Sequence, residues 1–155
     1  MAQVEVVARR DIAAKPDDVL DAIADYRQTH PRLLPEQFKD YEVREGGDGE
    51  GTVVFFRLHA TSKRVRECLM DVTEPSDDTL VESDRNSTLV TTWTVVPGEG
   101  TDGARSRVTI RTVWEGAGGI GGVFERLFAP RALAAIYDRI LANLAAETEK
   151  DKPAA

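Results

Sequence analysis

Between Tyr41 and Glu115 the chain offers six strand-like runs with turn residues between most of them. The runs are Tyr41–Glu45, Thr52–Ala60, Lys63–Thr73, Thr79–Asp84, Ser87–Val96 and Ser106–Glu115. The connections carry Gly46-Gly47-Asp48-Gly49, Pro75-Ser76-Asp77-Asp78, and Pro97 to Gly103 with its three glycines. These residue types permit or preset the backbone angles of tight turns. A crossover to a parallel neighbour needs a dozen or more residues. No connection here is that long, so the runs are expected to pair as successive antiparallel hairpins.

The two ends supply the other elements. Gln3 to Arg10 alternates with Val4, Val6 and Ala8 on one face, which predicts a further strand. Pro16 suits the first turn of a helix, and Asp17 and Asp18 favour its positive end. Val19, Leu20, Ile23 and Ala24 then recur at helical spacing, predicting a helix near 16–25. Tyr26 to Pro35 holds two prolines and reads as a second short helix or an ordered loop. The longest helical pattern is Ile120 to Glu147, with Val123, Phe124, Leu127 and Phe128 continued by Leu133, Ile136, Tyr137, Ile140, Leu141 and Leu144. Pro130 lies inside it and removes a helical hydrogen bond, predicting a kink or a fresh start. The sum is an α+β fold: a curved antiparallel sheet of about seven strands around a long C-terminal helix, with two short helices between the first two strands. Residues 1–149 read as a single domain and 150–155 as a disordered tail.

Gly116 to Gly121 read GAGGIG, a literal match to the dinucleotide-binding glycine pattern. That motif requires a second parallel strand after its helix. Here the sequence ends with the helix, so the unit cannot close, and a nucleotide is not expected. The glycines read instead as a conformational joint between the last strand and the long helix, one that could gate an interior space.

Charge narrows the partners. Lys and Arg number 20 against 27 Asp and Glu, a net charge of −7. Phosphate neutralisation needs clustered cations, so neither nucleic acid nor an anionic membrane surface is expected. The start MAQVEVVARR lacks an apolar signal core, and no run approaches a membrane span, so a cytoplasmic protein without membrane insertion is expected. No cluster of His, Cys and carboxylates has metal-ligand spacing, and no serine sits in a nucleophile elbow. No metal and no cofactor are therefore expected.

The opening Ile12-x-Ala14-x-Pro16-x-x-Val19-x-x-x-Ile23-x-Asp25-Tyr26 resembles the start of START-like proteins. This superfamily is also described as SRPBCC or Bet v 1-like, and it includes the polyketide cyclase/dehydrase and lipid-transport families. Thr29-His30-Pro31 and the run from Trp114 to Leu133 are similar to a group of small actinobacterial SRPBCC proteins. One departure is Leu20, where many relatives carry Trp or Phe. The resemblance implies a helix-grip fold with an internal cavity for an apolar small molecule or lipid.

Strand parity nominates the residues facing such a space. They are Val54, Phe56 and Leu58; Cys68 and Met70; Leu89, Thr91 and Trp93; and Val108, Ile110, Thr112 and Trp114, with Phe124, Phe128 and Tyr137 from the helix. The same residues would also fill a solid core. Cys68, the lone cysteine, reads as a small buried hydrophobe. Arg66 shares the Cys68 face, while Glu82 and Asp84 share the Leu80 face. Arg66 with Glu82 or Asp84 reads either as an internal pair or as a strand-end bridge at the surface. His30 reads either as a proton shuttle near the cavity mouth or as a loop histidine bonded to backbone. The expected function is binding or transport of a lipid, fatty acyl or polyketide-like molecule. One alternative is a cyclase or dehydratase using His30, Tyr26, Glu82 or Arg66; another is a protein-interaction module such as half of a toxin–antitoxin pair. A homodimer or a small protein partner fits any of these.

Overall fold

The structure is a computed structural model that describes residues 2–61, 64–100, 103–116 and 130–149. In chain order the elements are β1 (Ala2–Ile12), α1 (Pro16–Ala24), α2 (Thr29–Leu33), β2 (Phe38–Glu45), β3 (Val53–Thr61), β4 (Arg64–Ser76), β5 (Thr79–Asp84), β6 (Val90–Pro97), β7 (Ser106–Gly116) and α3 (Pro130–Glu149). The seven strands form one sheet in the order β1-β7-β6-β5-β4-β3-β2. Every pairing is antiparallel. Strands β2 to β7 follow one another as the short connections require. The first strand is the exception, because it joins the far edge and pairs with β7 from Ala2↔Gly116 to Ile12↔Ser106. Both strands that flank β7 are therefore antiparallel to it, unlike a dinucleotide-binding unit. Phe124, Phe128, the glycine stretch from residue 117, and the tail 150–155 lie outside the described residues.

Three strand boundaries differ by three residues from the alternation pattern, one of them the start of β6, at Val90 rather than Ser87. Strand β4 runs on to Ser76, so Pro75 sits within it and the turn shrinks to Asp77-Asp78. A register shift between Thr73 and Ser76 marks a bulge there, a position where a strand tolerates proline. Strand β2 starts at Phe38 rather than Tyr41. Its register shifts between Lys39 and Glu42, and Asp40 has φ 55. That left-handed residue breaks the period-two signal ahead of Tyr41.

Helix α3 closes the concave face. It packs against β1, α1 and α2, burying Leu133, Ile136, Tyr137, Ile140, Leu141, Leu144 and Ala145. That spacing is one face of a helix. Each large apolar side chain taken from water contributes about 1.5–3 kcal/mol before entropy is charged against it. Residues 117–129, which the expected kink or fresh start at Pro130 would involve, lie outside the described residues. Among the described residues, no helix is long and apolar enough to cross a membrane.

Candidate functional site

The site grows from two adjacent strands. On β5, Leu80, Glu82 and Asp84 are buried while Thr79, Val81 and Ser83 are only partly so. On β6 the buried set is Thr91, Trp93 and Val95. Register places Glu82 opposite Thr91, and Leu80 opposite Trp93. Trp93 is thus a diagonal neighbour of Glu82, within reach of a long side chain. Its indole Nε1–H donates to Glu82 Oε1 at 3.1 Å.

The other half comes from the α1–α2 turn. Asp25 shapes it: Oδ1 accepts from Gln28 N, and Oδ2 accepts from Thr29 N and Thr29 Oγ1. Burial opposes ionisation of Asp25, but these hydrogen bonds together hold its carboxyl below the ordinary range. The glycine-rich β2–β3 connection clamps the same turn, with Tyr26 N donating to Gly47 O and Gly49 N to Ala24 O, each at 3.0 Å. Gly47 and Gly49 have φ 134 and 58, angles that favour glycine. The turn so held points Tyr26 and His30 inward. Tyr26 is fully buried and donates its hydroxyl to Glu82 Oε2 at 2.7 Å. His30 stacks on Tyr26 with ring centroids 4.2 Å apart, and the edge of Trp93 meets it at 5.7 Å. His30 Nε2 lies 3.7 Å from Glu82 Oε2.

The histidine tautomer follows from its surroundings. Nδ1 is 2.7 Å from Ile23 O. A carbonyl can only accept, so Nδ1 carries hydrogen and Nε2 is the titrating nitrogen. Burial pushes the His30 pKa down, partly offset by the Glu82 charge and the Ile23 bond. Burial pushes the Tyr26 hydroxyl pKa well up, reinforced by Glu82. Tyr26 therefore stays a donor at neutral pH.

Around this cluster lies a cavity of about 40 Å³. That is far below the 300–1,000 Å³ of a typical ligand pocket. His30, Glu82, Phe56, Leu58, Cys68, Met70, Leu89, Thr91, Trp93 and Tyr137 all line it. Val54, Val108, Ile110, Thr112 and Trp114 are buried but do not line it; they pack the sheet's inner layer. Leu34, Phe38, Leu133 and Ile140 complete the wall. Leu133 and Ile140 belonged to the apolar stripe of the helix, whereas Phe38 was hidden by the irregular start of β2. A larger depression of about 730 Å³, lined by Pro35, Glu36, Gln37, Ala132, Ala135, Ile136, Arg139 and Asn143, is a groove at the surface.

Arg66 stands apart from the cavity. It faces Asp84, not Glu82, with Nε 3.8 Å from Oδ2 and side-chain exposures of 11% and 0%. Asp84 is buried and Arg66 partly buried. Asp84 itself orders the β5–β6 turn, accepting from Leu69 N, Asn86 N and Ser87 Oγ. Cys68 is buried and free, and burial pushes its thiol pKa up, which leaves it a poor nucleophile. Behind the cavity wall Thr112 Oγ1 is hydrogen-bonded to both Thr91 Oγ1, at 2.7 Å, and the Tyr137 hydroxyl. Burial takes the Tyr137 pKa up to about 12 against the lowering effect of those bonds. Among the described residues, no group of three or more His, Cys, Asp or Glu is placed to hold a metal ion.

No curated protein matches the chain. Among solved structures, the NMR structure of KanY protein is 42% identical, with a TM-score of 0.85, covering 96% of this chain and 99% of that one. A START superfamily protein from Mycobacterium smegmatis has a TM-score of 0.69 at 11% identity, covering 96% and 99%. Ginseng major latex-like protein 151 from Panax ginseng has a TM-score of 0.67 at 15% identity, covering 94% and 97%. These last two share the helix-grip fold. A family model described as polyketide cyclase / dehydrase and lipid transport matches residues 3–149, and the chain belongs to that family.

Proposed function

We propose that this protein binds an apolar small molecule whose polar end is oriented by Glu82 and His30, with Tyr26, which does not line the cavity, holding Glu82 in place. The carrying observation is a buried carboxylate, with His30 beside it, in a mainly apolar cavity wall. Apolar contact supplies affinity at about 25 cal/mol per Å², and the polar cluster sets direction. Because the cavity is about 40 Å³, the ligand body displaces wall side chains such as Leu34, Phe38 and Leu133 as it enters. The neutral probe N-phenyl-1-naphthylamine is expected to gain fluorescence on titration into the protein. Cys68→Phe, which fills the cavity, is expected to weaken binding about tenfold. Equal binding to both proteins, with no co-purifying molecule in native mass spectrometry and organic extraction, overturns the reading.

A second reading is an enzyme of the cyclase or dehydratase kind. It is favoured by the anchored His30 ring, whose Nε2 stands beside Glu82 at the cavity floor. Such a group can take a proton from a bound poly-carbonyl chain, with positioning doing the rest. Turnover of such a substrate is expected to fall about 10²-fold or more in His30→Ala. Turnover left intact by that change removes the histidine from the chemistry.

A further inference from the structure

Glu82 is the sole carboxylate among the described cavity-lining residues. Each of its oxygens already accepts one hydrogen bond, from Trp93 and from Tyr26. A carboxylate has room for more. His30, with its hydrogen fixed on Nδ1 by Ile23 O, turns the lone pair of a neutral Nε2 toward Glu82 Oε2, 3.7 Å away. Two acceptors therefore address the same small space. Among the described residues no Lys or Arg comes within ion-pair distance of Glu82; His30 alone does.

This arrangement discriminates between ligand head groups. A carbonyl or a carboxylate would bring a third acceptor to two that already face each other. A hydroxyl would donate one bond and leave the buried charge uncompensated, at a cost. An ammonium group does both jobs, because it has several donors and a positive charge. A space of about 40 Å³ suits such a head group. The apolar remainder would leave past Leu34, Phe38 and Leu133, whose chain neighbours Pro35, Gln37 and Ala132 line the outer groove. The net charge of −7 favours approach of a cation.

We infer that the ligand is an organic cation: an apolar body ending in a protonated amine that donates to Glu82 and to His30 Nε2. This inference rests on the small-molecule reading above and narrows it to one chemical class.

The test is isothermal titration calorimetry of the full chain at pH 8 with three probes of equal length: hexylamine, 1-hexanol and hexanoate. Hexylamine is expected to bind at least about tenfold more tightly than 1-hexanol, and hexanoate most weakly. Glu82→Gln is expected to erase the preference for the amine while 1-hexanol still binds. The wild-type series decides the matter even if that variant fails to fold. If 1-hexanol or hexanoate binds as tightly as hexylamine, the cation inference falls and the small-molecule reading stands. The same holds if N-phenyl-1-naphthylamine binds and none of the three chains does. If neither that probe nor any chain binds, both fall together.

Discussion

Leu144→Ala in α3 will lower the free energy of unfolding by about 2–5 kcal/mol. Leu144 is 0% exposed, on the stripe that α3 turns toward the sheet and the two short helices. Truncation removes three carbons from a packed site, and the cost has two parts. The lost transfer free energy is one, and the unfilled cavity is the other, because neighbours held on a sheet and a helix relax only partly. A domain of this size has about 5–15 kcal/mol in total, so the change is a large fraction of the whole. The control is Asp138→Ala, at an exposed position of the same helix, where a change within about 0.5 kcal/mol is expected. Urea denaturation of the three proteins measures both, and an unchanged slope with a lower midpoint identifies a true stability loss. A loss below about 1 kcal/mol at Leu144 would mean that α3 is not docked as described.

Much of this architecture is local and so was legible in the residues. Turn chemistry and period-two alternation marked out strands β3 to β7, and the helical stripe from Leu133 to Leu144 marked α3. Parity alone put Glu82 on the inward side of β5 and Trp93 on the inward side of β6. What parity could not supply was the partner of Glu82. Arg66 looked eligible from the strands, yet the groups that meet Glu82 include Tyr26 and His30, some fifty residues earlier in the chain. They arrive there because the α1–α2 turn folds over the sheet and is clamped by the Gly47 and Gly49 amides and carbonyls. No local period encodes that closure. One signal was available: Asp25 followed by Thr29 is a side-chain-to-backbone turn motif, and it fixes the orientation of His30. Cavity volume was illegible for a different reason. It is a small difference between side-chain volumes and the space between layers, so Val108 and Ile110 share the apolar alternation of Phe56 and Leu58 yet fill core instead of lining a hollow.

Stability will fall as pH drops below about 6.5, the ordinary histidine value, and His30→Gln will flatten that fall. Burial holds the folded-state pKa of His30 below its unfolded value. Between the two values the unfolded chain carries the extra proton, so unfolding takes up a proton and lower pH favours it. The limiting slope for one group is about 1.4 kcal/mol per pH unit. Above the unfolded value the effect vanishes, because His30 is neutral in both states. The charged groups facing His30 are Glu82 on β5 and Asp25 at the α1–α2 turn, and both oppose the shift without reversing it. The raised carboxyls of Asp21 and Glu74, caused first by burial and then by neighbouring acids, work in the opposite sense at lower pH. The lowered carboxyls of Asp25, Asp71 and Asp78 add their own loss only as pH falls through the carboxylate range. The histidine contribution is therefore isolated between pH 7 and about 5.5. Urea midpoints taken across that window in wild type and His30→Gln read it directly. A flat wild-type profile, or an equal slope in the variant, would show that the imidazole is not held neutral at the cavity floor. His30 stays neutral in the folded state across that window, so hexylamine binding to the folded protein should hold there and weaken only at lower pH, once the folded-state imidazole takes up its proton.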